Sequence, residues 1–302
     1  MDFVDPNLFA ISKLFAAVVA LSIVISSIIS WLYRDRPEKV INTWLKLGIL
    51  LGAIVVFIGT ASLGKWAFLP VALFLAYRGW LELLRCVEAK YGEIQSSGLI
   101  IALGALGILG GLEASSLTTF CVMAIAAWLA LIIPLLIYRQ PVSMHGVLST
   151  AFGIIFVTMP VALLLNLLTN NYGEFSFLVL LVMNNDGFSQ GSGMLAGKKP
   201  LIPQISPGKT WSGAVGGLLS CLIVGYLLRF LILNWEVWQV ILVAGMISLS
   251  SLCGDLIASS LKREVQIEDF GRILGATGGM LDKFDSLLFA VPVFYFIASY
   301  LR

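Results

Sequence analysis

The sequence predicts an all-α fold, a polytopic membrane bundle of nine or ten transmembrane helices, on three observations. Apolar residues make up 59% of the 302-residue chain and charged ones only 12%, and mean hydropathy is +0.97. Several apolar runs reach about 18 residues or more, the length that crosses a bilayer as a helix. The cations collect between alternate pairs of those runs, as the positive-inside rule requires of a polytopic chain. A soluble domain does not combine these features. The net charge of +2 gives no reason to expect nucleic acid.

Candidate spans run over 8–33, 47–64, 66–84, 97–112, 117–138, 144–168, 175–185, 211–233, 237–258 and 284–301. The first is not a cleavable signal peptide: Asp2 and Asp5 stand where a positive segment belongs, and Arg34 and Arg36 follow the run. The third is weak, because Arg78 and Glu82 interrupt it. The sixth opens at His145, the single histidine, which reads as structural and rules out a histidine-based metal site. The seventh is too short to cross ~30 Å of hydrocarbon as a lone helix, so it starts before Phe175, tilts, or ends as a broken helix. Trp31, Trp66, Trp80, Trp235 and Trp238 lie near run ends and are expected as interfacial belt residues.

Neither repeats nor linkers divide the chain, so 1–302 reads as one membrane domain, with an N-terminal helical region (1–174) and a motif-bearing region (175–302). Cys86, Cys121, Cys221 and Cys253 are far apart and suggest neither disulfides nor zinc. Placing the loops after the odd-numbered runs on one side leaves only Lys13, Lys65, Arg229 and Arg302, of 19 Lys and Arg residues, on or toward the other. The cation-rich side is then cytoplasmic, with both termini outside if there are ten spans.

The most polar stretch, Gly254 to Asp285, lies between strongly apolar runs. It carries Asp255, Glu264, Glu268, Asp269, Asp282 and Asp285 among Lys262, Arg263, Arg272 and Lys283. On a helix, Asp255, Ser259 and Lys262 at i, i+4 and i+7 share one face, the acid ~10 Å deeper than the lysine. Asp282 and Asp285 at i, i+3 share another, and Gly278-Gly279 before them lets backbone N–H groups approach an anion at a helix start. Solvated helix-end charges would explain the cations but not Asp255, because an acid inside an apolar helix is costly and usually functional. Two acidic faces, cations and a glycine turn suit a metal ion holding phosphate oxygens.

A second polar block precedes the eighth run. The segment from Asn184 to Thr210 reads as a glycine-rich loop with Lys198, Lys199 and Lys209, and Asp186 lies where an apolar run gives way to it. Gly208-Lys209-Thr210 lacks the earlier glycine and the strand context of a P-loop. Ser206 reads as an N-cap with Pro207 at the first helical position, which puts Lys209 and Thr210 in a first turn aimed at an anion. Gly213 and Gly217 read as close helix packing.

Ser259-x-Leu261-Lys262-Arg263, Asp269 and Gly278-Gly279-Met280-x-Asp282-Lys283-Phe284-Asp285, preceded by Ser206-Pro207-Gly208-Lys209-Thr210-Trp211, resemble the motifs of phosphatidate cytidylyltransferases (CDP-diacylglycerol synthases). The resemblance covers roughly residues 180–290. It implies a Mg²⁺-dependent membrane enzyme that joins CTP and phosphatidate into CDP-diacylglycerol and pyrophosphate. Asp255 and Asp282 would hold Mg²⁺, with room for a second cation, and Asp285 and Asp186 would support them. Lys209, Lys262 and Arg263 would neutralise phosphates, with Ser206, Thr210, Ser259, Gly278 and Gly279 completing the substrate site. Membrane lipids are implied partners, and a homodimer is compatible with the reading.

Four positions depart from the family pattern: Ser212 for Glu, Glu268 for Lys, Thr277 for His and Lys283 for Arg. Glu268 is expected to supply the charge missing at Ser212. Two alternatives remain: a CTP-dependent polyprenol or phytol kinase, and a non-catalytic lipid-binding or transport relative. Clustering of ionisable groups at one face, not at the bilayer midplane, argues for interfacial chemistry over transport.

Overall fold

The computed structural model describes residues 23–24, 26–32, 34–35, 37–92, 97–113, 115–138, 144–232, 234–274 and 278–301. The first expected span lies mostly outside them, and so does Thr277. Among the described residues, 26–32 are helical, and from Pro37 on the helices are α1 (Pro37–Ser62), α2 (Lys65–Tyr91), α3 (Ser97–Leu109), α4 (Ser116–Tyr138), α5 (Met144–Asn170, with a π turn over Ile154–Thr158), α6 (Tyr172–Ala196), α7 (Trp211–Leu227), α8 (Val237–Glu264) and α9 (Leu281–Leu301). The architecture is that of a polytopic helical membrane protein. Among the described residues six helices are long and apolar enough to cross a membrane, namely 43–62 within α1, α2, α5, α7 with its 3₁₀ extension to Leu231, α8 and α9.

Helix starts follow from local chemistry. Asn171 caps α6, its side chain accepting from Gly173 N and Glu174 N at 3.0 and 3.2 Å. Glu236 and Gln239 close a reciprocal capping box on α8. Gly64 and Gly92, both at positive φ, bracket α2. Within α2 the helix runs unbroken through Arg78 and Glu82, which pair at 3.2 Å. The polar pair therefore does not weaken the span; each charge meets a partner inside it.

One hydrophobic core is built from α1–α3 and α5–α9, with Phe57, Phe68, Trp80, Phe175, Phe177, Phe284 and Phe294 buried in it. α7 packs along α6, and α9 along α8. The first of these contacts is close because a Cβ at Gly213 would lie 2.8 Å from Ser189 O, which bears out the packing role expected of that glycine. Trp31, Trp66 and Trp238 are exposed, as interfacial residues would be. Trp80 is not: it is 1% exposed, and its indole N–H donates to Thr158 Oγ1 at 2.9 Å. Position near a run end misplaced it, since α2 extends past Trp80 to Tyr91. His145 stacks on Tyr91 with centroids 4.5 Å apart, a packing contact. All four cysteines are free.

Two expectations for the middle of the chain are corrected. Residues from Asn184 to Ala196 are not loop but the last turns of α6, which at 25 residues is long where the seventh run looked short. Ser206 does not cap a helix. Ser206–Thr210 is a strand pairing antiparallel with Pro200–Ile202, and Thr210 is the cap of α7, accepting from Gly213 N at 3.2 Å. Proline in a short edge strand removes no needed ladder bond, so the Pro207 signal fits either structure.

Candidate active site

A cavity of about 700 Å³ opens where α6, α7, α8 and α9 meet the hairpin. Four carboxylates line it: Asp186 from α6, Asp255 from α8, and Asp282 and Asp285 from α9. Lys46, Lys209 and Lys283 bring the cations, and Thr210, Ser189, Ser251 and Ser286 bring hydroxyls. Residues more than two hundred positions apart in the chain are thus gathered at one end of apolar helices.

The carboxylates are not equivalent. Asp255 is half-exposed and forms an ion pair with Lys209 at 2.6 Å. Asp285 is buried; Oδ1 accepts from Ser286 N at 2.7 Å, while Oδ2 has no hydrogen-bond partner among the described residues. The charges of Asp255 and Asp186 act on Asp285 from across the cavity. Such a group of acids with an orphaned oxygen is costly unless a cation completes it. Asp282 is differently engaged. Oδ1 accepts from Lys262 Nζ at 2.7 Å, and Oδ2 accepts from both Phe270 N and Gly279 N at 2.8 Å. Asp282, expected as a metal ligand, lines the cavity and also ties Lys262, Phe270 and Gly279 to the start of α9.

The remaining expected residues divide in the same way. Thr210 and Lys209 line the cavity. Ser206, Ser259, Lys262, Arg263, Gly278 and Gly279 do not belong to its wall. Lys262 is held by Asp282, Arg263 Nε donates to Ile205 O at 3.2 Å and steadies the hairpin turn, and Ser259 is buried. Asp255 and Lys262 do share a continuous helix, but face different partners. Gly278 sits at φ 93, the left-handed region that admits glycine without strain. The Gly279 N–H is spent on Asp282 and not left for an external anion. Glu268 is exposed and outside the cavity wall, and Ser212 Oγ pairs with Thr210 Oγ1 at 3.1 Å. Charge compensation inside the cavity is therefore not the part Glu268 plays. Its charge helps instead to push the Asp269 carboxyl above its ordinary range, after partial burial and the neighbouring Asp282.

A second, smaller cavity adjoins the first between α1 and α6. It shares Thr43, Lys46, Asp186, Gln190, Met194 and Lys283 with the first and adds Ile29, Leu47, Leu50 and Phe188. Polar cavity and apolar groove thus meet at two lysines.

The sequence pattern described as "Cytidylyltransferase family" matches residues 38–301. The chain belongs to this family. Relatives include the uncharacterized protein YnbB of Escherichia coli K12, 26% identical over 96% of this chain and 98% of that protein. A phosphatidate cytidylyltransferase of Staphylococcus saprophyticus is 30% identical over 80% of this chain and 93% of that enzyme. A second, from Staphylococcus aureus (strain COL), is 40% identical over 41% of this chain, the match spanning 47% of that enzyme. Similarity to cytidylyltransferases over most of the chain favours a nucleotidyltransferase and does not favour the kinase or transport readings.

Proposed function

We propose that this chain is a phosphatidate cytidylyltransferase. The observation that carries the proposal is one cavity in which Asp186, Asp255 and Asp285 face Lys46, Lys209 and Lys283, continuous with an apolar groove. Both substrates are anions, one of them a lipid, and this junction suits both. The triphosphate of CTP fits the polar cavity, with Lys209 and Thr210 at its wall. The phosphatidate phosphate fits between Lys46 and Lys283, its acyl chains along Ile29, Leu47 and Leu50. A phosphate oxygen of the lipid attacks the α-phosphorus of CTP. The bond from that phosphorus to the bridging oxygen breaks, and pyrophosphate leaves with the electron pair. The chain's contribution is alignment and charge neutralisation, and no protein nucleophile is required.

Among the described residues no three acids are drawn together tightly enough to hold an ion alone. Mg²⁺ takes one or two carboxylates and completes its shell with phosphate oxygens and water, so Asp255 and Asp285, supported by Asp186, fit it. Mg²⁺ bound there supplies charge neutralisation at the phosphates. Asp282 and Lys262 are assigned to holding the loop. The cavity faces the cytoplasm in this reading, supported by the loop cations and by the location of CTP; a reporter fused at Pro200 that reads as exterior would contradict it.

The test is direct: purified protein with CTP, phosphatidate and Mg²⁺ should form CDP-diacylglycerol and pyrophosphate in equal amounts. Products in unequal amounts, or none, would overturn the proposal. The placing of the lipid phosphate has its own test. Lys46→Met is expected to raise KM for phosphatidate about fivefold, the worth of ~1 kcal/mol of charge pairing, with KM for CTP unchanged. An effect on CTP alone would place Lys46 at the nucleotide instead.

A further inference from the structure

We infer that Glu82 is a positioning residue that clamps the loop leading into α9, the helix that carries Asp282 and Asp285, an inference that rests on the proposed function for its catalytic consequence. Glu82 lies on α2, far in sequence from every motif, and its side chain is fully buried. Its two oxygens accept from the first N–H groups of α9: Met280 N at 3.0 Å on Oε1 and Leu281 N at 2.8 Å on Oε2. Those donors have no partner within the helix, and a carboxylate at a helix start also meets the positive end of its dipole. Arg78 supplies the countercharge from one turn earlier.

The loop is shaped to receive this side chain. A Cβ at Gly271 would lie 2.7 Å from Glu82 Oε1, and one at Gly279 would lie 2.5 Å from Oε2. Both glycines leave space that the carboxylate fills, on either side of Asp282's own bonds to Phe270 N and Gly279 N. Two carboxylates thus pin one loop from opposite helices. Asp282 does so from within α9, and Glu82 from the N-terminal region, whose described residues otherwise give the main cavity only Thr43 and Lys46. The register of α9 sets where Asp285 and Lys283 stand, so Glu82 fixes that acid and the lipid-phosphate lysine together. A misplacement of about 1 Å in a site of this kind costs up to ~10²-fold in rate.

The experiment compares the full-length wild type with Glu82→Gln, Glu82→Ala and the neighbouring core variant Leu83→Ala, by kcat, KM and amide hydrogen exchange. Glutamine keeps the volume, but its NH₂ would face a backbone N–H, donor against donor. Glu82→Gln is expected to lower kcat at least about tenfold, with KM for CTP changed less than about threefold, and to speed exchange at Met280 and Leu281 at least about tenfold. Glu82→Ala should do the same or more. Leu83→Ala should lower the melting temperature while leaving kcat and those two amides unchanged. The clamp is overturned if Glu82→Gln leaves exchange unchanged, if exchange quickens with kcat intact, or if Leu83→Ala reproduces both effects. A wild-type chain with no turnover would overturn the proposed function; the exchange rates would then decide the clamp by themselves.

Discussion

Asp255→Asn is expected to reduce turnover by at least ~10²-fold while the protein stays folded. Removing the charge of an essential ligand commonly costs that much. The fold has less at stake than at Asp282, because the Asp255 side chain is 40% exposed, although its partner Lys209 is only 18% exposed; a pair open to solvent on one side is worth about 1 kcal/mol. The melting temperature of the purified variant in detergent should therefore match the wild type within a few degrees. The loss should also deepen as Mg²⁺ is lowered, since the remaining ligand would hold the ion more weakly. Turnover within about threefold of wild type at every Mg²⁺ concentration would show that Asp255 holds no metal.

Asp282→Asn is expected to cost both turnover and stability, and this pairing separates it from Asp255→Asn. The Asp282 carboxylate is 5% exposed and takes three donors, Lys262 Nζ and the N–H groups of Phe270 and Gly279. An asparagine offers one oxygen and sets its NH₂ against one of those donors. Removing one partner of a buried ion pair costs about 3–5 kcal/mol, so the melting temperature should fall clearly. Turnover should fall by at least ~10²-fold as the loop loses its register. Lys262→Met should reproduce much of the stability loss, because it leaves the same carboxylate short of a charge partner. If Asp282→Asn instead loses all turnover at an unchanged melting temperature, Asp282 is a metal ligand and its loop contacts are secondary.

Sequence spacing brings Asp282 to the site but does not carry which bonds its oxygens already make. The i, i+3 relation of Asp282 and Asp285 places both near one end of α9, and both do line the cavity. Spacing does not say which oxygen is already bonded, and the donors to Asp282 come from Phe270 and Gly279 in a loop without period. The apolar runs marked the helices well because hydropathy is a property of long segments. It failed at the end of α6, where Asn184, Asn185, Asp186 and Gln190 looked like loop. Those residues are helical, and Asn185, Asp186 and Gln190 reach the cavity wall. The hairpin was hidden by Ser206-Pro207, a pair that suits a helix start and an edge strand equally.

Glu82 was visible only as an interruption of an apolar run. The signal that could have found it was there: Arg78 and Glu82 stand at i, i+4, so one turn of helix pairs them inside a membrane span. An ionisable pair at such depth is expensive and calls for a purpose. Its partner, the start of α9, is 198 residues away for Met280 N, and no local pattern reports a contact of that range.

The central claim is tested most directly by following two phosphates of one nucleotide. CTP carrying one isotope at the α-phosphate and another at the γ-phosphate is given to purified wild type with phosphatidate and Mg²⁺. Transfer of the cytidylyl group predicts the α label in the lipid fraction and the γ label in pyrophosphate. The γ label in the lipid, with CDP released to water, would contradict the account and identify a kinase.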